Sequence, residues 1–208
     1  MSTEIMPHAT TDRLDRPRLL RRGIRLEAMT LTWNVVGVFV VFFAAFAAGS
    51  VALASFGLDS AIEILASTVV IWHLRDTADE RREKLAMSVI AWAFVGLAIY
   101  VTAQAAYTLI AGDRPHHSGL GIGWTAATFL AMLTLAAAKG RVGRALGNIT
   151  LETESRVTVI DAYLAGAVLL GLLLNAVLGW WWADPLAALV VVYYALRESR
   201  EAFAEVRG

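Results

Sequence analysis

Six long apolar runs dominate this 208-residue chain, near 29–49, 51–73, 86–111, 119–138, 155–178 and 182–197. An α-helix needs about 20 residues to cross ~30 Å of hydrocarbon, and each run approaches or exceeds that length. The fourth and sixth are somewhat short, so their ends are the least constrained. The runs predict an all-α membrane protein with six transmembrane helices. The first two are separated by little more than Gly49-Ser50, which predicts a tight helical hairpin, and two further hairpins follow.

Charge placement orients the helices. Seventeen of the 18 Lys and Arg residues fall on one side, in alternate connections or at the run ends that border them: before run one, between runs two and three, around the connection between runs four and five, and at the end of run six or after it. Arg114 is the exception. Lysine and arginine concentrate on the cytoplasmic side, so both termini are expected there. Lys139, Arg141, Arg144 and Arg156 are read as belonging to the connection between the fourth and fifth spans. The outer connections are then Gly49-Ser50, Gly112–Ser118 and Gly179–Ala183. Trp180, Trp181 and Trp182 read as an aromatic belt at the outer interface, and Asp184-Pro185 opens the sixth helix, where a proline's missing N–H costs least.

The expected organisation is a basic cytoplasmic tail over 1–28, a six-helix domain over 29–197 and a short cytoplasmic tail over 198–208. The first 20 residues read as disordered and suited to anionic lipid. Residues 1–28 contain no apolar core, so no cleavable signal peptide is expected. The last tail is too short for a soluble C-terminal domain. Charged residues make up 17% of the chain and formal net charge is zero, which offers no case for nucleic-acid binding. Cysteine is absent, which excludes disulfides, thiolate catalysis and thiolate metal ligands. A multi-pass protein of a bacterial inner membrane is the expected setting.

Against this apolar background two acids stand out. Asp59 and Glu63 lie four apart in the second run, on one helix face and about 6 Å from each other. A carboxylate at the centre of a spanning helix costs roughly 2.5–3.5 kcal/mol on the insertion scale, and the usual reason to keep one is an ion or proton pathway. Asp59 alone could cap a helix starting after Gly57, but that leaves Glu63 unexplained. Ser60 lies nearby, and Ser67 continues the polar face. Asp161 is a third intramembrane acid, in the fifth run, and Glu154, Thr158 and Asp161 share one stripe of that helix. Glu152 and Glu154 precede the apolar run, where an acid favours the helix dipole.

No basic residue falls inside any expected span, beyond Arg156 and Arg197 at the very ends of two of them, to pair with these acids. Three carboxylates without a cation repel strongly at low dielectric, so either protons or a cation must sit among them. Three or four oxygen ligands from two helices suit a small divalent ion. The remaining polar residues are plainer. Asn34, Gln104 and Asn175 read as interhelical hydrogen-bonding amides, His73 as an interfacial residue, and His116 and His117 as a solvated pair in an outer loop.

The segment Gly49-Ser50-Val51-Ala52-Leu53 through Leu58-Asp59-Ser60-Ala61-Ile62-Glu63 resembles the second-helix region of the cation diffusion facilitators. In that family an acid-x-x-x-acid pair here binds the transported metal, and Asp59 and Glu63 match it. The family's fifth helix carries His-x-x-x-Asp or Asp-x-x-x-Asp; Asp161 matches the second member, and Val157 occupies the first. Trp182-Ala183-Asp184-Pro185, followed by Leu186, Ala187 and Leu189, resembles the start of the family's sixth helix. The resemblance covers roughly residues 18–203.

It implies proton-coupled efflux of a divalent cation by alternating access in a homodimer. Zn²⁺ comes first, with Mn²⁺, Co²⁺ or Fe²⁺ as alternatives for an all-oxygen ligand set. The implied metal ligands are Asp59, Glu63 and Asp161, with Glu154 or Thr158 as possible additional donors. No catalytic residue and no cofactor are implied. The chain departs from the family pattern at Val157 and in the expected absence of a soluble regulatory domain. These departures motivate the alternative of a non-transporting metal-binding accessory subunit of another transporter. An intramembrane hydrolase with paired aspartates has no second signature to support it.

Overall fold

Turn chemistry sets where the helices end. The computed structural model describes the backbone of residues 8–75 and 80–207, and their side chains except at 8–15, 66–75, 80–83, 86, 149–150, 153, 205 and 207. Over these residues the chain forms six helices and no strand: α1 His8–Ala48, α2 Val51–Arg75, α3 Glu80–Ala111, α4 Gly119–Leu146, α5 Ile149–Leu178 and α6 Ala183–Arg207. The side chains of Ser67 and His73, for which roles were expected, lie outside the described residues.

The α1–α2 hairpin turns on Gly49, whose φ of +63° is open to glycine at little cost. α4 starts on Ser118, whose hydroxyl accepts from Gly121 N–H, and α5 starts on Asn148, whose side chain accepts from Leu151 N–H.

Several boundaries differ from the sequence expectation, for one physical reason. Hydropathy marks where a helix leaves hydrocarbon, not where it stops. Arg, Lys, Glu and Leu are all good helix formers, so helices continue through charged segments. α1 is already helical at His8, within the stretch expected as a disordered tail, and Pro17 removes a backbone donor there without ending it. α6 runs on through the expected tail to Arg207. α4 continues to Leu146, which shrinks the fourth connection to Gly147-Asn148. Lys139, Arg141 and Arg144 are therefore in α4, and Arg156 is in α5.

Among the described residues, four helices hold windows long and apolar enough to cross a membrane: Arg16–Ala48 of α1, Met87–Ala111 of α3, Gly119–Leu146 of α4 and Glu154–Leu178 of α5. α2 holds Asp59 and Glu63, and the last half of α6 is charged. The outward faces are strongly apolar, with Phe46 93% exposed and Phe39, Ile110 and Val177 well exposed, as an integral membrane protein requires.

α2 is the central helix, packing against α1, α3, α5 and α6, while α4 pairs with α5 and α3 with α6. Its first turns are largely enclosed: Ala52, Leu53 and Ser55 have no exposed surface. α5 and α6 cross closely at Gly171, where an added Cβ would meet the Ala187 Cβ at 2.7 Å. Trp33 of α1 stacks on Trp124 of α4 with centroids 5.0 Å apart and donates to Thr128 Oγ1 at 3.1 Å. Asn175, expected as an interhelical amide, instead ties α5 to the 112–118 connection, donating to Pro115 O at 3.0 Å.

Candidate cation site between α2 and α5

The position of α2 is fixed at its start by a residue from another helix. α2 has no acid in its own first turn. Asp184, at the start of α6, supplies one: its Oδ2 accepts from Val51 N–H at 2.9 Å and Ala52 N–H at 3.2 Å, and its Oδ1 accepts from Ser50 Oγ at 2.5 Å. Helix N-termini leave donors unpaired and favour negative charge. Asp184 has no exposed surface, and the donors compensate its burial.

Asp59 follows Ser50 by nine residues, about 13 Å along α2 at 1.5 Å per residue. It is 4% exposed. Glu63, one turn further on the same face, is half-buried. Asp161 approaches from α5 and is 8% exposed. The carboxyls of Glu63 and Asp161 face each other across the helix interface, close enough to share a proton. The other Asp161 oxygen, Oδ1, is buried without a partner. Asp59 lies near enough for its charge and that of Asp161 to act on each other.

A cation stands beside this group, contrary to the sequence expectation that no span holds one. Lys139 of α4 has no exposed surface. Its Nζ donates to Glu27 Oε2 of α1 at 2.9 Å and to Thr158 Oγ1 of α5 at 3.1 Å, with Glu154 Oε2 at 3.9 Å. Its charge reaches Asp161. The physical reason for the correction is the longer α4: Lys139 follows the apolar run without a break and stays on the buried face with Met132, Leu135 and Ala136.

The other anticipated residues fall as follows. Thr158 Oγ1 accepts from Lys139 and donates to Glu154 O at 2.8 Å, so both of its hydrogen-bonding roles are occupied. Glu154 Oε2 stands 3.9 Å from Lys139 Nζ, and its charge also acts on Asp161. Val157 is 40% exposed. His116 and His117 are exposed in the 112–118 connection. Among the described residues, no three His, Asp or Glu side chains already form a closed cage for an ion.

Glu198 of α6 is a further carboxylate that sequence reasoning passed over. Its charge acts on Asp59, Glu63 and Asp161 alike. Burial, and then Glu201, push its own carboxyl above the usual range, while Arg197 pulls the other way. A signal existed: Val191, Ala195, Glu198 and Ala202 recur at helical spacing, and the three apolar members are buried. For Lys139 the signal was its direct continuity with Ala136-Ala137-Ala138.

Comparison with known proteins gives two findings. The cation efflux transmembrane domain family matches residues 29–207. The chain is also 28% identical over 197 residues to a protein of Synechocystis sp. described as the uncharacterized transporter sll1263. That alignment takes in 89% of this chain but only 61% of the relative's length.

Proposed function

Because the chain belongs to the cation efflux family, we propose that it moves divalent metal ions across a membrane in exchange for protons. The observation that carries this reading is the Glu63–Asp161 pair, two carboxyls of α2 and α5 close enough to share a proton, with one Asp161 oxygen buried and left unpartnered. A divalent ion is the natural replacement for that proton. It would draw on Asp161 and Glu63, with Asp59 one turn away, and each carboxylate must be deprotonated to bind it. Proton and metal then compete for the same oxygens, and alternating exposure of the α2–α5 interface to the two sides turns the competition into antiport. Zn²⁺ is the leading substrate, and the oxygen ligands also suit Mn²⁺, Co²⁺ or Fe²⁺. Arginine placement supports cytoplasmic termini in a bacterial inner membrane, and the family resemblance supports a homodimer.

The test is metal flux into proteoliposomes for a panel of these four ions at two pH values, with wild type and Asp161→Ala side by side. Wild type should move at least one ion against a proton gradient, and the variant should not. Equal flux in both would overturn the assignment. A second reading, a metal-binding accessory subunit that does not transport, is favoured by the lack of a closed three-ligand cage among the described residues and by valine at 157. Saturable zinc binding that depends on Asp161, without flux for any ion, would select it.

A further inference from the structure

We propose that Lys139 is a built-in counter-cation that weakens the hold of the α2–α5 carboxyls on a divalent ion, with Glu27 setting how much of its charge they feel. The inference rests on the reading of those carboxyls as the cation site.

The placement supports it. Thr158, which accepts from Lys139, lies three residues before Asp161 on α5, so the ammonium sits less than one helical turn from the Asp161 level. The groups facing it come from two helices: Glu27 of α1, and Glu154, Thr158 and, through its charge, Asp161 of α5, which in turn faces Glu63 of α2. Among the described residues only Glu27 makes a short ion pair with it, and Glu27 is itself unevenly used: Oε2 holds the lysine at 2.9 Å while Oε1 is buried without a partner.

A lysine with no exposed surface is costly, and an apolar side chain of similar volume would pack there at less expense. Its charge has a use beside a transport site. Three carboxylates in a low dielectric attract a divalent ion strongly, and an ion bound that tightly would not leave. A fixed positive charge nearby opposes the ion at every point of the cycle without occupying a ligand position. Glu27, as the lysine's partner, offsets part of that opposition. Thr158 and Glu154, on this view, serve the lysine and not the metal.

The signs make the inference testable by zinc titration calorimetry on the purified full chain in detergent at pH 8, where protons compete least. Lys139→Gln should bind Zn²⁺ about ten-fold more tightly than wild type, and Glu27→Gln should bind it several-fold more weakly. The double variant should return to within about two-fold of wild type, because the two charges cancel. Lys139→Arg, which keeps the charge, should stay near wild type. If Lys139 only holds helices together, all of these substitutions weaken binding and the double variant is worst, which overturns the proposal. Should Lys139→Gln fail to fold, Glu27→Gln and Lys139→Arg still decide: equal weakening in both overturns it. If wild type and Asp161→Ala bind zinc alike, the cation-site reading itself falls and this inference falls with it. Asp161-dependent binding without the opposite signs removes this inference alone.

Discussion

Asp184 and Asp161 are both buried aspartates in the apolar interior, yet their surroundings are opposites. Asp184 collects three donors, from Ser50 Oγ, Val51 N–H and Ala52 N–H. Asp161 meets another carboxyl and leaves one oxygen without a partner. A buried acid with both oxygens answered is a structural member, because fixed donors offset much of its desolvation. A buried acid facing acids is stable only with a mobile positive charge, and that is the condition for carrying one. The comparison separates structural from transport acids more sharply than depth in the membrane does.

The largest expected effect would come from the compensated side. Asp184→Ala strips two backbone donors and one hydroxyl of their acceptor at the start of α2, at a cost of about 3–5 kcal/mol. Asp184→Asn, which keeps one acceptor, should cost about 1–2 kcal/mol. Chemical unfolding in detergent measures both, and a loss below about 1 kcal/mol for the alanine variant would break the comparison. On the other side, Asp161→Asn and Asp59→Asn should leave unfolding unchanged or shifted upward, since each removes like-charge repulsion, while metal affinity drops about 100-fold. Parallel calorimetry and melting curves would show whether stability and binding separate in this way.

A gain-of-function change sharpens the same contrast. Val157 lies four residues before Asp161 and is 40% exposed, so Val157→His has room to present an imidazole on that side of α5. Zinc affinity should rise roughly ten-fold with stability little changed. No rise would mean that the Val157 position does not face the bound ion.

The smallest effect is expected at Glu198. Its carboxyl is pushed up first by burial and then by Glu201, so the folded state resists ionising it. That penalty is absent below the group's ordinary pKa, where it is protonated folded or unfolded, and it develops as pH rises through the raised folded value. Glu198→Gln should therefore raise the melting temperature by about 2 °C at pH 8 and leave it unchanged at pH 4 or below. A gain of equal size at both pH values would point to packing instead of charge.

Much of the fold was legible because its cause is local. Apolar runs of bilayer length, Gly49-Ser50 as a turn and the shared face of Asp59 and Glu63 all follow from helical rise and side-chain period. The helix ends at Leu146 and Arg207 were not legible from hydropathy, since charged residues continue a helix as well as apolar ones do. Within the candidate site, the stripe of Glu154, Thr158 and Asp161 was visible, but its division was not. Thr158 and Glu154 turn to Lys139, and Asp161 turns to Glu63.

By itself the sequence determined six helices, their apolar outer faces and the presence of acids deep within them, all properties readable in one turn or one run. Only the tertiary structure decided which acid is answered and by what. Asp184 reaches Ser50 across 134 residues and Lys139 reaches Glu27 across 112. Such pairings depend on which helices become neighbours, and a buried charge takes its meaning from the neighbour that compensates it or fails to.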